Sequence, residues 1–457
     1  MKIRPHYIIT TAICMTSLCV AGNAFALDLS EALQRAKQYD TTYQAAYASY
    51  LAASEASNQS TAAIRPQINL NGFIQQGNTV TSVDGSSTSS SHNNNKGYTL
   101  NLDQVIYNKT IFDKLDQGDA TVAKAEADLA TARQDLIIRV ATAYFNVLSA
   151  IDTLETSRAE KKAIGKQLEQ SKERYKVGLS AITDVKDQQA SYDIAAANVI
   201  IATNTLSNAR EALSVIINKY TTNLEIVQPK IPLVVPQPLD INAWKDKSLA
   251  NNFTIKAAQY AVKAAKSDYD ASKGGHYPTL NLNASYGYID SDPRSFAGRP
   301  FPGNQATDAK VLLTLGIPIY TGGLTSSVVR QKAAEMERSQ ALLDQAERTT
   351  TALARSTFLT VKSDIATVKA RHQAVISTQT SLDATIAGYD AGTRTSVDIL
   401  LAQGLLYSSE RDFFTSRYTY IIDSLKLKQV AGILNDADIT QINHWLIPKP
   451  AGRKHRN

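Results

Sequence analysis

Past position 19 the 457-residue sequence contains no cysteine, since both of its cysteines, Cys14 and Cys19, lie near the start. The remainder has no thiol nucleophile, no disulfide and no cysteine metal site, a composition suited to an oxidising envelope compartment. Histidine is also sparse after the first 26 residues: His92, His276, His372, His444 and His455 are scattered without metal-ligand spacing. Neither a nucleophile elbow nor a G-x-G-x-x-G phosphate loop occurs, and Gly322-Gly323 reads as a strand-to-helix joint. The expectation is a non-enzyme with no metal and no cofactor. Apart from a short basic end, charge of one sign is not concentrated anywhere. The formal net charge of +6 becomes +4 without Lys2 and Arg4, and the charges are interspersed, which argues against nucleic acid as a partner. Beyond the N-terminal stretch no uncharged apolar run reaches the ~20 residues of a spanning helix. If the chain enters a membrane, it must use β-strands.

Lys2 and Arg4, the apolar stretch Tyr7 to Val20 and Ala24-Phe25-Ala26 form the pattern of a cleaved secretory signal over residues 1–26. The basic end, Arg453-Lys454-His455-Arg456, reads as a solvated tail.

The rest of the chain is one pattern written twice. Leu27-Asp28 recurs 212 residues later as Leu239-Asp240, and Pro66 before Gln67-Ile68-Asn69-Leu70-Asn71 recurs as Pro278 before Thr279-Leu280-Asn281-Leu282-Asn283. Ile106-Tyr107 returns as Ile319-Tyr320 after 213 residues, while Tyr175 and Asp184 return as Tyr389 and Asp398 after 214. A repeat this long is a complete structural unit. The implied organisation is a first repeat over 27–228, a Pro-rich linker over 229–240, a second repeat over 241–434 and a C-terminal segment over 435–457.

Each repeat reads helix, strand, loop, strand, very long helix, shorter helix. The opening helices are expected over 29–63 and 241–272, and Pro66 and Pro278 end helical continuation before β-hairpins over 67–107 and 279–319. Leu280, Leu282, Ala284, Tyr286 and Tyr288 alternate with Asn281, Asn283 and Ser285. Val311, Leu313, Leu315 and Ile317 oppose Lys310 and Thr314, and in the first repeat Ile68, Leu70, Tyr98, Leu100 and Leu102 oppose Asn69, Asn71, Thr99, Asn101 and Asp103. Apolar-out, polar-in alternation over about ten residues fits a transmembrane strand with a wet interior. A soluble sheet with one wet face fits the alternation as well. The secretory signal and the strand-end tyrosines Tyr107 and Tyr320, placed as interfacial aromatics would be, favour the membrane. Residues 79–96 and 289–308 are expected to be long polar loops.

The helix over 109–176 would span roughly 100 Å. Val140, Tyr144, Val147, Ile151 and Leu154, and again Phe358, Val361, Ile365 and Val368, step by threes and fours as a coiled-coil seam does. Gly178 and Gly392 break the long helices, and shorter ones return over 182–219 and 396–434. Four strands cannot close a barrel, so a membrane sheet of this kind needs further copies to cover its edges. Three copies would leave a lumen where two would be nearly filled.

Several motifs carry a family resemblance. They are Ser381-Leu382-Asp383-Ala384, Gly388-Tyr389, Gly392-Thr393-Arg394-Thr395, Val397-Asp398-Ile399-Leu400, Val177-Gly178-Leu179 with Ala181-Ile182-Thr183-Asp184-Val185, and Pro318-Ile319-Tyr320 with Gly322-Gly323. Through these the chain resembles the TolC family of outer-membrane channel proteins over nearly its whole length, to about Ile442. The resemblance implies an α+β membrane protein, a homotrimer whose twelve-stranded barrel sits in outer-membrane lipid and continues into a periplasmic α-helical tunnel. It implies a passive exit duct for efflux or type I secretion, working with a periplasmic adaptor and an inner-membrane pump of the ABC or RND type. By position it makes Tyr389 and Arg394 the inner members of a lock at the periplasmic entrance, with Thr183 and Asp184 as partners. Gln167 matches a further lock position, but Ile386 stands where the acidic partner belongs, so that link is expected to be absent. Asp398 matches the first residue of a pore selectivity ring and Leu401 replaces the second acid, which implies weaker cation selectivity. The rival reading is a secreted coiled-coil surface protein or pore-forming toxin.

Overall fold

The computed structural model describes residues 26–81, 89–296 and 299–448. The signal peptide, apart from Ala26, and the basic tail lie outside them. In chain order, α1 (Leu29–Tyr39) and α2 (Thr41–Ala62) lead into strands β1 (Gln67–Thr81) and β2 (Ser89–Asn108). Then come α3 (Lys109–Lys176), α4 (Ile182–Ile217) and the two-residue strand β3 (Ile226–Val227). The pattern repeats with α5 (Ile241–Asn251), α6 (Phe253–Lys273), β4 (Thr279–Ser291), a small hairpin of β5 (Arg294–Phe296) and β6 (Arg299–Phe301), β7 (Asn304–Gly316), α7 (Leu324–Asp390) and α8 (Ser396–Val430). A last helix α9 (Asp436–Asn443) and strand β8 (Leu446–Ile447) close the described chain.

The opening helices are two each, not one. Asp40 leaves the helical region (ψ 113°) and accepts the Tyr43 N–H, so it ends α1 and caps α2. Asn252 does the same between α5 and α6, accepting from Thr254 and Ile255. Side chains that cap better than they propagate broke a run whose composition read as continuous. The polar loops are also shorter than expected. β1 and β2 pair from Gln67↔Asp103 out to Thr81↔Ser89, so backbone pairing carries the strands through Ser and Asn where side-chain patterning stopped signalling. In the second repeat β5 and β6 occupy part of the expected loop. β7 ends at Gly316, leaving Ile317 and Tyr320 beyond the sheet.

The main sheet has the order β1-β2-β4-β7, all antiparallel. Its register puts Leu70 beside Leu100 and Leu100 beside Tyr286, with Leu282 beside Leu313 and Leu280 beside Leu315. One face is thus mostly apolar, broken by Gln104 opposite Leu282 and by Lys96 opposite Ile74, and Tyr98 stacks on Tyr288 across it with ring centroids 5.8 Å apart. A bulge between Val105 and Tyr107 brings Tyr107 opposite Leu280 on that face. The other face carries Asn69, Asn101 and Ser285 in one row, and Asn283 donates to the Asp103 carboxylate at 2.6 Å. Leu312, opposite Asn283, is an apolar exception there.

The apolar face has nothing to pack on among the described residues: Ile74 is 91% exposed and Val311 74%. The core lies elsewhere, where α1, α3, α4, α7, α8 and α9 meet. The coiled-coil seams fall inside it, from Val140 to Leu154 and from Phe358 to Val368. One stretch of α3 is long and apolar enough to cross a membrane by composition alone, but 56% of it is buried in the fold. Chain ends are tied into the same core. Lys37 and Arg133 both pair with Asp436 (2.5 and 2.8 Å), Asn443 accepts the Leu29 N–H, and β8 pairs with β3.

Asp364 on α7 lies beside Asp423 on α8, which is paired with Lys426 at 2.9 Å. Burial first, and the Asp423 carboxylate second, push Asp364 up to about 6. A carboxyl whose folded pKa exceeds its unfolded value destabilises the fold above the folded pKa, and that cost disappears as pH falls toward the unfolded one. Asp364→Asn is therefore expected to raise the thermal unfolding midpoint at about pH 7.5 and to lose most of that gain at about pH 4.5. An equal gain at both would sink this account.

Candidate functional site: the helical tip

The two long helices end alike. Gly178 and Gly392 each take φ 76°, the left-handed conformation that glycine enters without a Cβ clash. Gly178 N–H donates to Tyr175 O (3.0 Å) and Leu179 N–H to Arg174 O (2.8 Å). In the second repeat Gly392 N–H donates to Tyr389 O (3.0 Å) and Thr393 N–H to Gly388 O (2.8 Å). Turns of this type point α4 and α8 back along α3 and α7.

The two returning helices start differently. Thr395 opens α8 with a capping box: its hydroxyl accepts the Asp398 N–H, and its own N–H donates to the Asp398 carboxylate at 2.8 Å. The Thr395 N–H, then its hydroxyl, then the nearby Arg394 charge hold the Asp398 carboxyl below its ordinary range. At the equivalent position before α4 stands Ala181, with no side-chain cap. Asp184, half-buried in the first turn of α4, therefore keeps its carboxylate for another partner beside the positive end of the helix.

Arg394 is exposed at the tip. Its stem lies over Gly388, where an added Cβ would come within 2.8 Å of Arg394 Cγ, so a larger residue at 388 would displace the arginine. Tyr389 is half-buried and packs against a small cluster of Leu382, Ile399 and Leu406. Thr183 is exposed and Gln167 half-buried. Ile386, 39% exposed, offers no hydrogen-bonding group to Gln167. Leu401 is 69% exposed and shares one side of α8 with Val397 and Leu405.

Among the described residues, no hydrogen bond or ion pair joins Tyr389 or Arg394 to Thr183 or Asp184 within the chain. The structure instead brings Tyr389 to a residue that sequence reading passed over. The guanidinium of Arg174, in the last turn of α3, sits 5.1 Å from the centre of the Tyr389 ring. An exposed contact of this kind contributes about 0.5–1 kcal/mol. The repeat held the clue, since Arg174 aligns with Gly388 while Tyr175 aligns with Tyr389.

A sheet with one mostly apolar face that no described residue covers, carried on two long helical hairpins, defines an outer-membrane channel protein. The comparisons agree, and the chain belongs to the outer membrane efflux protein family, whose model matches residues 30–219 and again 244–433. It is 33% identical over 427 residues to the outer membrane protein TolC of Vibrio cholerae serotype O1, covering 93% of this chain and 95% of that one. It is 26% identical to the alkaline protease secretion protein AprF of Pseudomonas aeruginosa, covering 92% and 88%. Among solved structures, the CmeC outer membrane channel of Campylobacter jejuni superposes with a TM-score of 0.75 at 14% identity, over 97% of this chain and 98% of that one. At that identity the superposition speaks for the fold.

Proposed function

We propose that the chain is the outer-membrane exit duct of an efflux or type I secretion system, assembled as a homotrimer. The observation that carries the oligomer is the strand order β1-β2-β4-β7, which leaves β1 and β7 as open edges. Unpaired backbone groups in hydrocarbon cost several kcal/mol each, so other copies must supply neighbouring strands. Three copies give a twelve-stranded barrel with a lumen, and the asparagine-rich face supports a wet one. The apolar face then meets outer-membrane lipid, and the helical hairpins form a tunnel reaching into the periplasm. Each chain contributes two repeats, 27–228 and 241–434, joined by the 229–240 linker. A periplasmic adaptor and an inner-membrane pump, ABC or RND, deliver drugs or unfolded proteins, and the channel conducts them without hydrolysing anything.

The tip is the gate. Arg394 and Tyr389 lock against Thr183 and Asp184 of neighbouring hairpins, and the uncapped carboxylate of Asp184 supports this pairing. Gln167 has no link, because Ile386 cannot accept one. Asp398 supplies one ring of three carboxylates to the pore, and Leu401 adds none one turn away.

Conductance of the purified protein in planar bilayers tests the reading. Small, weakly cation-selective single channels are expected. Leu401→Asp should raise the potassium-to-chloride permeability ratio about threefold or more, because a second carboxylate ring strengthens the field at the constriction. Unchanged selectivity would remove this part of α8 from the pore, and folded oligomers that conduct nothing would remove the channel itself.

A further inference from the structure

In the proposed gate Tyr389 would lock through its hydroxyl. The geometry gives its ring a separate partner: we propose that Arg174 is a further gate residue, which clamps the two helical hairpins of one chain together by placing its guanidinium on the face of Tyr389. This rests on the gate reading above and names a residue and an interaction that the reading does not include.

Arg174 lies in the last turn of α3 and Tyr389 in the last turn of α7, so their contact joins the α3–α4 hairpin to the α7–α8 hairpin at the level where a gate must act. Higher up, Arg411 of α8 and Glu160 of α3 join the same hairpins with an ion pair at 3.0 Å. The Tyr389 ring is held from its own hairpin by the Leu382, Ile399 and Leu406 cluster, which fixes the direction of its face. Its hydroxyl has no hydrogen-bond partner among the described residues. The acids near Arg174 are taken: Glu169 pairs with Lys172 at 3.1 Å and Glu173 with Lys176 at 2.7 Å. A guanidinium left without a carboxylate, beside an aromatic face, stacks on it, and its planar shape suits the contact better than an ammonium does.

The chemistry around the contact explains why it is needed. Two turns up α3, the proposed gate has no Gln167 link, because Ile386 carries no acceptor for it. The two arginines also divide the work. Arg174 precedes its turn and reaches across to the other hairpin of its own chain, while Arg394 follows its turn and is exposed. Position 388 is equivalent to Arg174, and a side chain there would displace the Arg394 stem.

The test is single-channel conductance in planar bilayers of five variants beside the wild type. They are Arg174→Gln, Arg174→Lys, Tyr389→Phe, Tyr389→Leu and, as a check on the gate itself, Arg394→Ser. Three copies of a contact of this strength amount to about a tenfold or larger change in the ratio of open to closed channel. Arg174→Gln and Tyr389→Leu should show that rise, and Arg174→Lys a smaller one. Tyr389→Phe, which keeps the ring and loses only the hydroxyl's share of the lock, should open the channel clearly less than Tyr389→Leu. A purely structural role for the tyrosine would not separate Phe from Leu in conductance while both assemble as heat-stable oligomers. If Tyr389→Phe opens the channel and Arg174→Gln does not, the hydroxyl carries the lock and the proposal is wrong. If Arg394→Ser opens the channel while Arg174→Gln and Tyr389→Leu leave it closed, the gate stands and Arg174 is not part of it. If no variant opens it, the gate reading has failed and this proposal fails with it.

Discussion

Arg394→Ser is expected to turn a small, mostly closed channel into one that conducts about tenfold more in planar bilayers, without loss of the oligomer. The reason lies in where the charge is placed and what it can reach. Arg394 is exposed at the extreme tip, past the left-handed Gly392, with its stem resting on Gly388. Asp398 lies near enough to feel its charge but is already held by the Thr395 N–H and hydroxyl. Asp184 is an uncommitted acid at the same tip, since its helix lacks the threonine cap because position 181 is alanine. Across a subunit boundary an Arg394–Asp184 pair would satisfy both. Taken at the surface value of about 0.5–1 kcal/mol, three such pairs sum to roughly 1.5–3 kcal/mol, which is about tenfold or more in the open-to-closed ratio. Partial desolvation at a closed constriction would increase that. The lower bound already gives a measurable rise, so a variant that stays as closed as the wild type would end the assignment of Arg394 to the gate.

The largest effect on stability is expected from Arg139→Ala. Asp40 is 3% exposed, and three things depend on its carboxylate. It caps α2 by accepting the Tyr43 N–H at 2.7 Å, and it receives both guanidinium nitrogens of Arg139 on α3, at 3.0 and 2.8 Å. It also marks the break between α1 and α2. Removing the arginine leaves a buried carboxylate with one backbone donor and no counter-charge. Breaking such a pair costs about 3 kcal/mol or more in the interior, although Arg139 itself is partly exposed and water will recover some of that. The expected result is a clear fall in the thermal midpoint of the assembled protein. Asp40→Asn in the same background should restore part of it, because an uncharged amide can still cap and no longer needs the arginine. If the double variant is no more stable than Arg139→Ala alone, the buried charge is not the source of the loss.

Much of this architecture was legible in the sequence for a simple reason: periodicity is a local property. The seam from Val140 to Leu154 and the strand alternation around Leu70, Leu100 and Leu282 announce helix and strand faces through nearest-neighbour geometry, and the structure buries or aligns those residues accordingly. The bounds 109–176 coincide with α3 because Gly178 stops the helix and β2 precedes it. Signals failed where side chains cease to report what the backbone does. Ser89 and Asn94 lie in a strand because β1 is there to pair with them. Asp40 and Asn252 interrupt helices because a cap outcompetes propagation at those points. At the tip, the sequence and the family pattern picked out Thr183, Asp184, Tyr389 and Arg394, and the same reading missed Arg174, which matters only because α3 and α7 end side by side.

By itself the sequence determined the two-repeat layout, the periods of helix and strand and the turn glycines, all consequences of residue type and spacing along one chain. Only the tertiary structure decided how those parts are used. It set the strand order that leaves β1 and β7 open, the return of α9 to the start of the chain and of β8 to β3, and the meeting of Arg174 with Tyr389. Each of these joins residues far apart in sequence, and no local pattern encodes which distant surface a side chain will find.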